Sequence, residues 1–321
     1  MWISPYKYYK YVLSLGHLCS DINQSILSAV LPFLIATYHY DYTIDTMLVT
    51  VSNVFGAFVQ PFIGMLSDKK NKLLYMTLGV LLASGGMAVT GFISNFFGLC
   101  IVVIISGIGV VMFHPQAAKL VNSVSSKNAK GKGMSIFSFG GKVGFTLGPV
   151  YTAFLMNLFG MKGTILFLIP GIVFGIVCSF FNKDFENLDV LEVEKKEKVK
   201  SEQKDDWSGF IKLCCVVFSR SILSNGISTF LAFYFIQQFS KSNSFASMLL
   251  SVFYGIGSIT LLGGGIADCF GHRKMVRLSF CIFLPAIFIF TNTSHFVIAL
   301  IMLIFMTCGE SLSYSPMVVL G

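Results

Sequence analysis

The sequence predicts an all-α polytopic membrane protein, and three observations carry that expectation. The 321 residues are 55% hydrophobic and only 12% charged, with 33 phenylalanines and a mean hydropathy of +0.76. A water-soluble fold would have too little polar surface at that composition. Apolar runs long enough to cross about 30 Å of hydrocarbon at about 1.5 Å per residue recur ten times. Lysine and arginine crowd to one side of those runs, the pattern that sets orientation in a bilayer.

In chain order the runs lie at residues 11–38, 46–67, 73–94, 97–119, 133–158 and 163–182, then at 209–238, 245–267, 275–292 and 295–320. The first is of full spanning length with no small-residue cleavage site behind it, so it reads as a span and not as a removable leader. With the N-terminus placed in the cytoplasm, 19 of the 23 lysines and arginines fall on the inner side, and only Lys162 and Lys241 on the outer. The net charge of +8 then reports basic loops beside anionic lipid, and no nucleic-acid partner is expected. The segment 183–208 holds nine of the fifteen acids and six lysines. Mixed charge with few apolar residues builds no core, so it reads as a cytoplasmic linker. The expected organisation is a six-helix bundle over 1–182, the linker over 183–208, and a four-helix, incomplete bundle over 209–321.

The two halves repeat. Gly64-Met65-Leu66-Ser67-Asp68-Lys69-Lys70-Asn71-Lys72 follows the second run, and Gly264-Gly265-Ile266-Ala267-Asp268-Cys269-Phe270-Gly271-His272-Arg273-Lys274 follows the eighth. Asp68 and Asp268 are 200 residues apart, which is how parallel repeats of a transporter show in sequence. This loop resembles the G-x-L-A-D-R-x-G-R-K signature of the major facilitator superfamily. The resemblance implies two six-helix repeats, of which ten spans are present here and the last two missing. It also implies that Gly64, Asp68, Gly264, Asp268 and Arg273 form loops that help to hold one access state. Within that superfamily the chain is most similar to the fosmidomycin resistance protein group, through His17 to Ser25, Gln60-Pro61, Phe113-His114-Pro115, Ser135-Ile136-Phe137 and Leu147-Gly148-Pro149. Gln116 departs from a common glutamate of the group, and Lys142 from a common asparagine.

The spans hold charges that lipid would penalise by several kcal/mol unless they face a partner or a water-filled cavity. His17, Asp21, Gln24 and Ser28 recur at spacings of three and four, which puts them on one stripe of a helix. Ser221, Ser224, Asn225 and Ser228 do the same in the seventh span, with Arg220 at their edge. Asp21, Lys142 and Arg220 sit roughly ten residues from the cytoplasmic ends, or about 15 Å deep, and Glu310 reaches similar depth from outside. Asp21 suits a proton carrier and equally a buried partner of Lys142 or Arg220. His114, beside Pro115, suits packing as well as proton transfer. Arg220 and Lys142 suit an anionic ligand, since the planar guanidinium matches phosphonate or carboxylate. Gly140, Gly144 and Gly148 recur at intervals of four before Pro149, a flat face for close helix packing.

The expectation is therefore a proton-coupled secondary transporter. Arg220, Lys142, Gln24 and Asn225 would bind substrate, and Asp21, His114, Glu310 and His17 would couple protons. The resemblance implies efflux of small anionic drugs or metabolites from a bacterial plasma membrane by a monomer. Uptake of a sugar or carboxylate is the alternative reading, and an inactive or sensory remnant another. No catalytic triad, phosphate-binding glycine loop or metal-ligand spacing points to an enzyme, and no cofactor is expected.

Overall fold

The computed structural model describes residues 8–67, 72–124, 130–181, 207–259 and 271–320. These residues form ten α-helices with short 3-10 segments, and no strand occurs among them. The helices are α1 (Tyr9–Tyr38), α2 (Tyr42–Ser67), α3 (Lys72–Val89), α4 (Phe96–Val124), α5 (Lys130–Phe159), α6 (168–181), α7 (Trp207–Phe239), α8 (Asn243–Ile259), α9 (His272–Asn292) and α10 (Phe296–Leu320). Seven helical stretches are long and apolar enough to cross a membrane. One of them, Ile136–Phe181, runs through α5, a 3-10 segment over Gly160–Phe167 and α6. The chain is a multi-pass membrane protein. It divides into two compact units, Met1–Lys200 and Ser201–Gly321. Residues 183–206 of the expected linker lie outside the described residues, and Trp207 and Ser208 already open α7.

In the first unit α1 is the central helix. It packs most extensively on α5, then on α4 and α3, and α4 also covers α2 and α3. Lipid tails are as apolar as leucine, so the hydrophobic effect cannot drive helices together here. Small residues and interhelical hydrogen bonds do that work. A Cβ on Gly140 would sit 2.2 Å from the Ser14 carbonyl oxygen, one on Gly144 2.4 Å from that of Leu18, and one on Gly148 1.9 Å from Ser25 Oγ. The α5 glycines thus let α1 approach backbone to backbone. Ser14 Oγ donates to the Ile136 carbonyl at 2.7 Å and Asn23 Nδ2 to Ser84 Oγ on α3 at 2.9 Å. Below these contacts Leu13, Met76, Phe113, Phe137 and Phe174 form an apolar cluster. The helix ends at His39, whose left-handed backbone (φ 55) returns its N–H to Ile35 O at 2.9 Å.

In the second unit α9 and α10 form the closest pair, and α8 packs on α7 and α10. The internal repeat is visible at atomic detail. A Cβ on Gly109 of α4 would lie 2.4 Å from both Ala83 N and Gly79 O of α3. A Cβ on Gly309 of α10 would lie 2.9 Å from Phe283 N and 3.0 Å from Ser279 O of α9. All three positions are shifted by 200 residues, the offset that separates Asp68 from Asp268. Asp68, Gly264 and Asp268 lie outside the described residues. Gly64 belongs to α2, and Arg273 is exposed in the first turn of α9. Ahead of it Gly271 adopts φ 90, a conformation that side chains disfavour, and its carbonyl accepts the N–H of Lys274 and Met275, each at 3.1 Å.

Candidate functional site

The first unit gathers an ionisable cluster around Asp21. His17 lies one turn earlier on α1, and its Nε2 is 3.2 Å from Asp21 Oδ2. His114 reaches across from α4, with its Nε2 3.3 Å from Asp21 Oδ1. The carboxylate is 5% exposed, against 14% for His17 and 32% for His114, so access to the cluster runs past His114. The His17 ring stacks on Phe137 at a centroid distance of 4.0 Å and meets His114 edge-on at 5.1 Å. Its Nδ1 is 2.8 Å from the Phe137 carbonyl oxygen. A carbonyl only accepts, so Nδ1 carries a hydrogen and Nε2 is the atom that faces the acid. Pro115, next to His114, leaves the α4 backbone without one N–H at that turn.

The wall opposite the cluster is Gly141 on α5. A Cβ there would stand 2.5 Å from Asp21 Oδ2 and 2.6 Å from His17 Nε2. Any larger residue would displace the acid or the imidazole. Sequence reasoning assigned Gly141 no role. The signal was its place directly before Lys142, inside the glycine-rich stretch but off the four-residue interval. Lys142 itself is half-buried. Two residues past His114, Gln116 is fully buried, and neither its amide nitrogen nor its oxygen has a hydrogen-bond partner among the described residues.

The second unit holds a different arrangement. Arg220 of α7 is ion-paired through Nη2 with Glu310 Oε1 of α10. Ser224, one turn on, donates from Oγ to the same carboxylate oxygen at 3.1 Å, and Ser311 Oγ lies 3.4 Å from Glu310 Oε2. Leu223, Ser279, Phe280, Phe283 and Gly309 surround the pair. Both side chains are largely shielded, Arg220 at 14% exposure and Glu310 at 10%. Arg220 thus meets a carboxylate of its own unit, whereas the sequence allowed Asp21 to be its partner. Of the remaining expected residues, Gln24 and Asn225 are exposed, and the Asn225 carbonyl accepts Ser228 Oγ at 3.0 Å. Depth in the span located Glu310, but only packing reveals that it faces Arg220 and Ser224.

Two units of long apolar helices, each with shielded ionisable side chains between its helices, are the architecture of an integral membrane protein. The sequence profile of the Major Facilitator Superfamily matches residues 13–321, and the chain belongs to that family, whose members are transporters and not enzymes. The chain is 23% identical over 276 residues to the fosmidomycin resistance protein of Escherichia coli K12, covering 82% of this chain and 66% of that protein. It therefore spans just under two thirds of that relative's length. Among solved structures, a bacterial homologue of the human lysosomal transporter Spinster, in an inward-facing and occupied conformation, is similar in fold. The TM-score is 0.80 at 15% identity, over 98% of this chain and 74% of the other. A D-xylose–proton symporter is also similar, with a TM-score of 0.73 at 16% identity, over 96% and 80% of the two chains.

Proposed function

We propose that this protein is a proton-coupled secondary active transporter that exports small anionic drugs or metabolites, such as phosphonates of the fosmidomycin type, by alternating access. The buried His17–Asp21–His114 cluster carries the reading. A carboxylate flanked by two imidazoles at 3.2 and 3.3 Å can take up and release a proton without being left as a bare charge in a low-dielectric interior. Asp21 is the proton carrier, His17 holds the orientation set by the Phe137 carbonyl, and His114 is the most accessible member, through which protons arrive. Arg220 and Lys142 are the cations for the anionic substrate, and the exposed amides of Gln24 and Asn225 add polar contacts. Glu310 occupies the Arg220 fork until a substrate anion replaces it. The setting is the bacterial plasma membrane, with the N-terminus in the cytoplasm, the basic loops on the inner face and the monomer as the working unit. The similarity to the fosmidomycin resistance protein supports this choice of substrate class.

The Arg220–Glu310 pair favours a second reading, the carboxylate form of the sugar or carboxylate uptake alternative. If a proton lands on Glu310, the hold of its carboxylate on Arg220 weakens and the guanidinium can turn to an anion. Proton and anion would then bind together, and by linkage that is the signature of cotransport. Export by exchange requires the opposite sign.

The deciding experiment is the drug susceptibility of an efflux-deficient bacterium expressing this chain, beside its Arg220→Ala variant. Protection against fosmidomycin that disappears with Arg220→Ala supports anion export. Well-inserted protein that leaves the cells as sensitive as the empty strain removes that substrate and direction, and cells made more sensitive point to uptake.

A further inference from the structure

We propose that His17, Asp21 and His114 also form a binding site for one divalent transition-metal ion of the zinc class. The donor atoms of the three side chains all lie within 4.8 Å of one another. The carboxylate offers a separate oxygen to each ring, Oδ2 to His17 Nε2 at 3.2 Å and Oδ1 to His114 Nε2 at 3.3 Å, and each separation is near the spacing of about 3.3 Å between neighbouring ligands of a zinc ion with bonds of about 2.0–2.1 Å. The His17 tautomer makes the same demand. With its Nδ1 hydrogen directed to Phe137 O, a neutral His17 would aim the Nε2 lone pair at a carboxylate oxygen. Two acceptors at that distance repel unless a proton or a metal ion sits between them. A backbone carbonyl on the far ring nitrogen is also the usual outer-shell partner of a metal-bound histidine, fixing ring orientation and tautomer.

The donor set selects the ion class. Two imidazoles and one carboxylate suit zinc, cobalt, nickel or iron, whereas magnesium and calcium prefer oxygen-only shells. Asp21 is buried, unlike the exposed acids that cluster on surfaces without binding metal, and His114 at 32% exposure offers the way in. Gly141, with no side chain, is what lets α5 lie against Asp21 Oδ2 and His17 Nε2 without displacing these two donors. Lys142, next along α5, is the neighbouring cation that opposes occupancy. A bound ion would cross-link α1 to α4 and exclude protons from the acid, so the metal would act as an inhibitor of any proton-driven step.

The test is calorimetric titration of the purified full chain in detergent with zinc chloride alone. Cys214, Cys215 and Cys281 are exposed thiols that would compete for zinc, so all three are first replaced by serine. The expected result is one saturable ion per chain, with affinity at least tenfold lower in His114→Gln and in His17→Gln. Cobalt chloride should give visible absorption bands that those variants lose. His114→Gln alters a partly exposed residue, and retained helicity and monodispersity establish that it folds. Zinc binding that is undiminished in the His17→Gln/His114→Gln double variant, or no saturable binding in the parent, overturns the proposal. The readout needs neither substrate nor gradient, so its failure leaves the transport reading standing, and failure of transport leaves the metal site standing.

Discussion

The two units follow one helical plan and handle buried charge in different ways. In the first, α1 is enclosed by α3, α4 and α5, and its acid meets two imidazoles, groups that can lose their charge. In the second, α7 is exposed along much of its N-terminal half, and among its described side chains the buried ones begin at Ile227. There the acid meets a guanidinium, which stays charged at any accessible pH. The first arrangement can lose or gain a proton and remain near neutrality. The second keeps a fixed cation and can change only by moving or protonating its carboxylate. That contrast is why we propose Asp21 as the proton carrier and the fixed cation Arg220, together with Lys142, for the substrate anion.

The largest expected effect separates these two designs. Glu310→Ala takes the carboxylate away from Arg220 in a largely shielded site and should cost on the order of 3 kcal/mol. Asp21→Ala leaves two histidines that can shed their protons, and should cost less, about 1–2 kcal/mol. Chemical unfolding in detergent micelles measures both, and equal losses would erase the distinction. Next comes the repeat itself. Gly109→Ala meets backbone at 2.4 Å and Gly309→Ala at 2.9 Å, so the first should lower stability by about 2–3 kcal/mol and the second by nearer 1 kcal/mol. Thermal unfolding of the two variants ranks them, and the reverse order would contradict the packing described for the two helix pairs.

Smaller effects sharpen the picture. Ser224→Ala removes one hydrogen bond to Glu310 and should cost about 1 kcal/mol, readable as a modest drop in the same unfolding midpoint. Gln116→Leu replaces a buried amide whose polar atoms have no partner among the described residues and should be neutral or stabilising by up to about 1 kcal/mol. A clear destabilisation would mean that Gln116 has a role in the first unit beyond packing.

The helical class, the repeat and the family were legible in the sequence because each leaves a periodic trace: apolar runs of spanning length, lysines on one side, and a loop motif at an offset of 200 residues. The same offset reappears where Gly109 and Gly309 approach Gly79 and Ser279. The His17–Asp21 pair was legible too, since residues four apart share a helix face. The His114–Asp21 contact was not. It joins positions 93 residues apart, and which face α4 turns toward α1 depends on packing around Phe113, a side chain fully buried among its neighbours. Likewise the depth of Arg220 and of Glu310 could be counted from span ends, but their pairing depends on the rotation of α7 against α10. Gly141 was hidden for another reason. In a glycine-rich stretch no pattern tells which glycine faces an ionic cluster and which faces a backbone.

The central claim is that Asp21 couples protons while Arg220 holds the anion. It is tested most directly in proteoliposomes loaded with labelled fosmidomycin, comparing the parent with Asp21→Asn and Arg220→Ala. The account predicts that Asp21→Asn still exchanges labelled for unlabelled substrate but no longer moves it in response to an imposed pH gradient, whereas Arg220→Ala loses both. Gradient-driven movement by Asp21→Asn at the parental rate would contradict it.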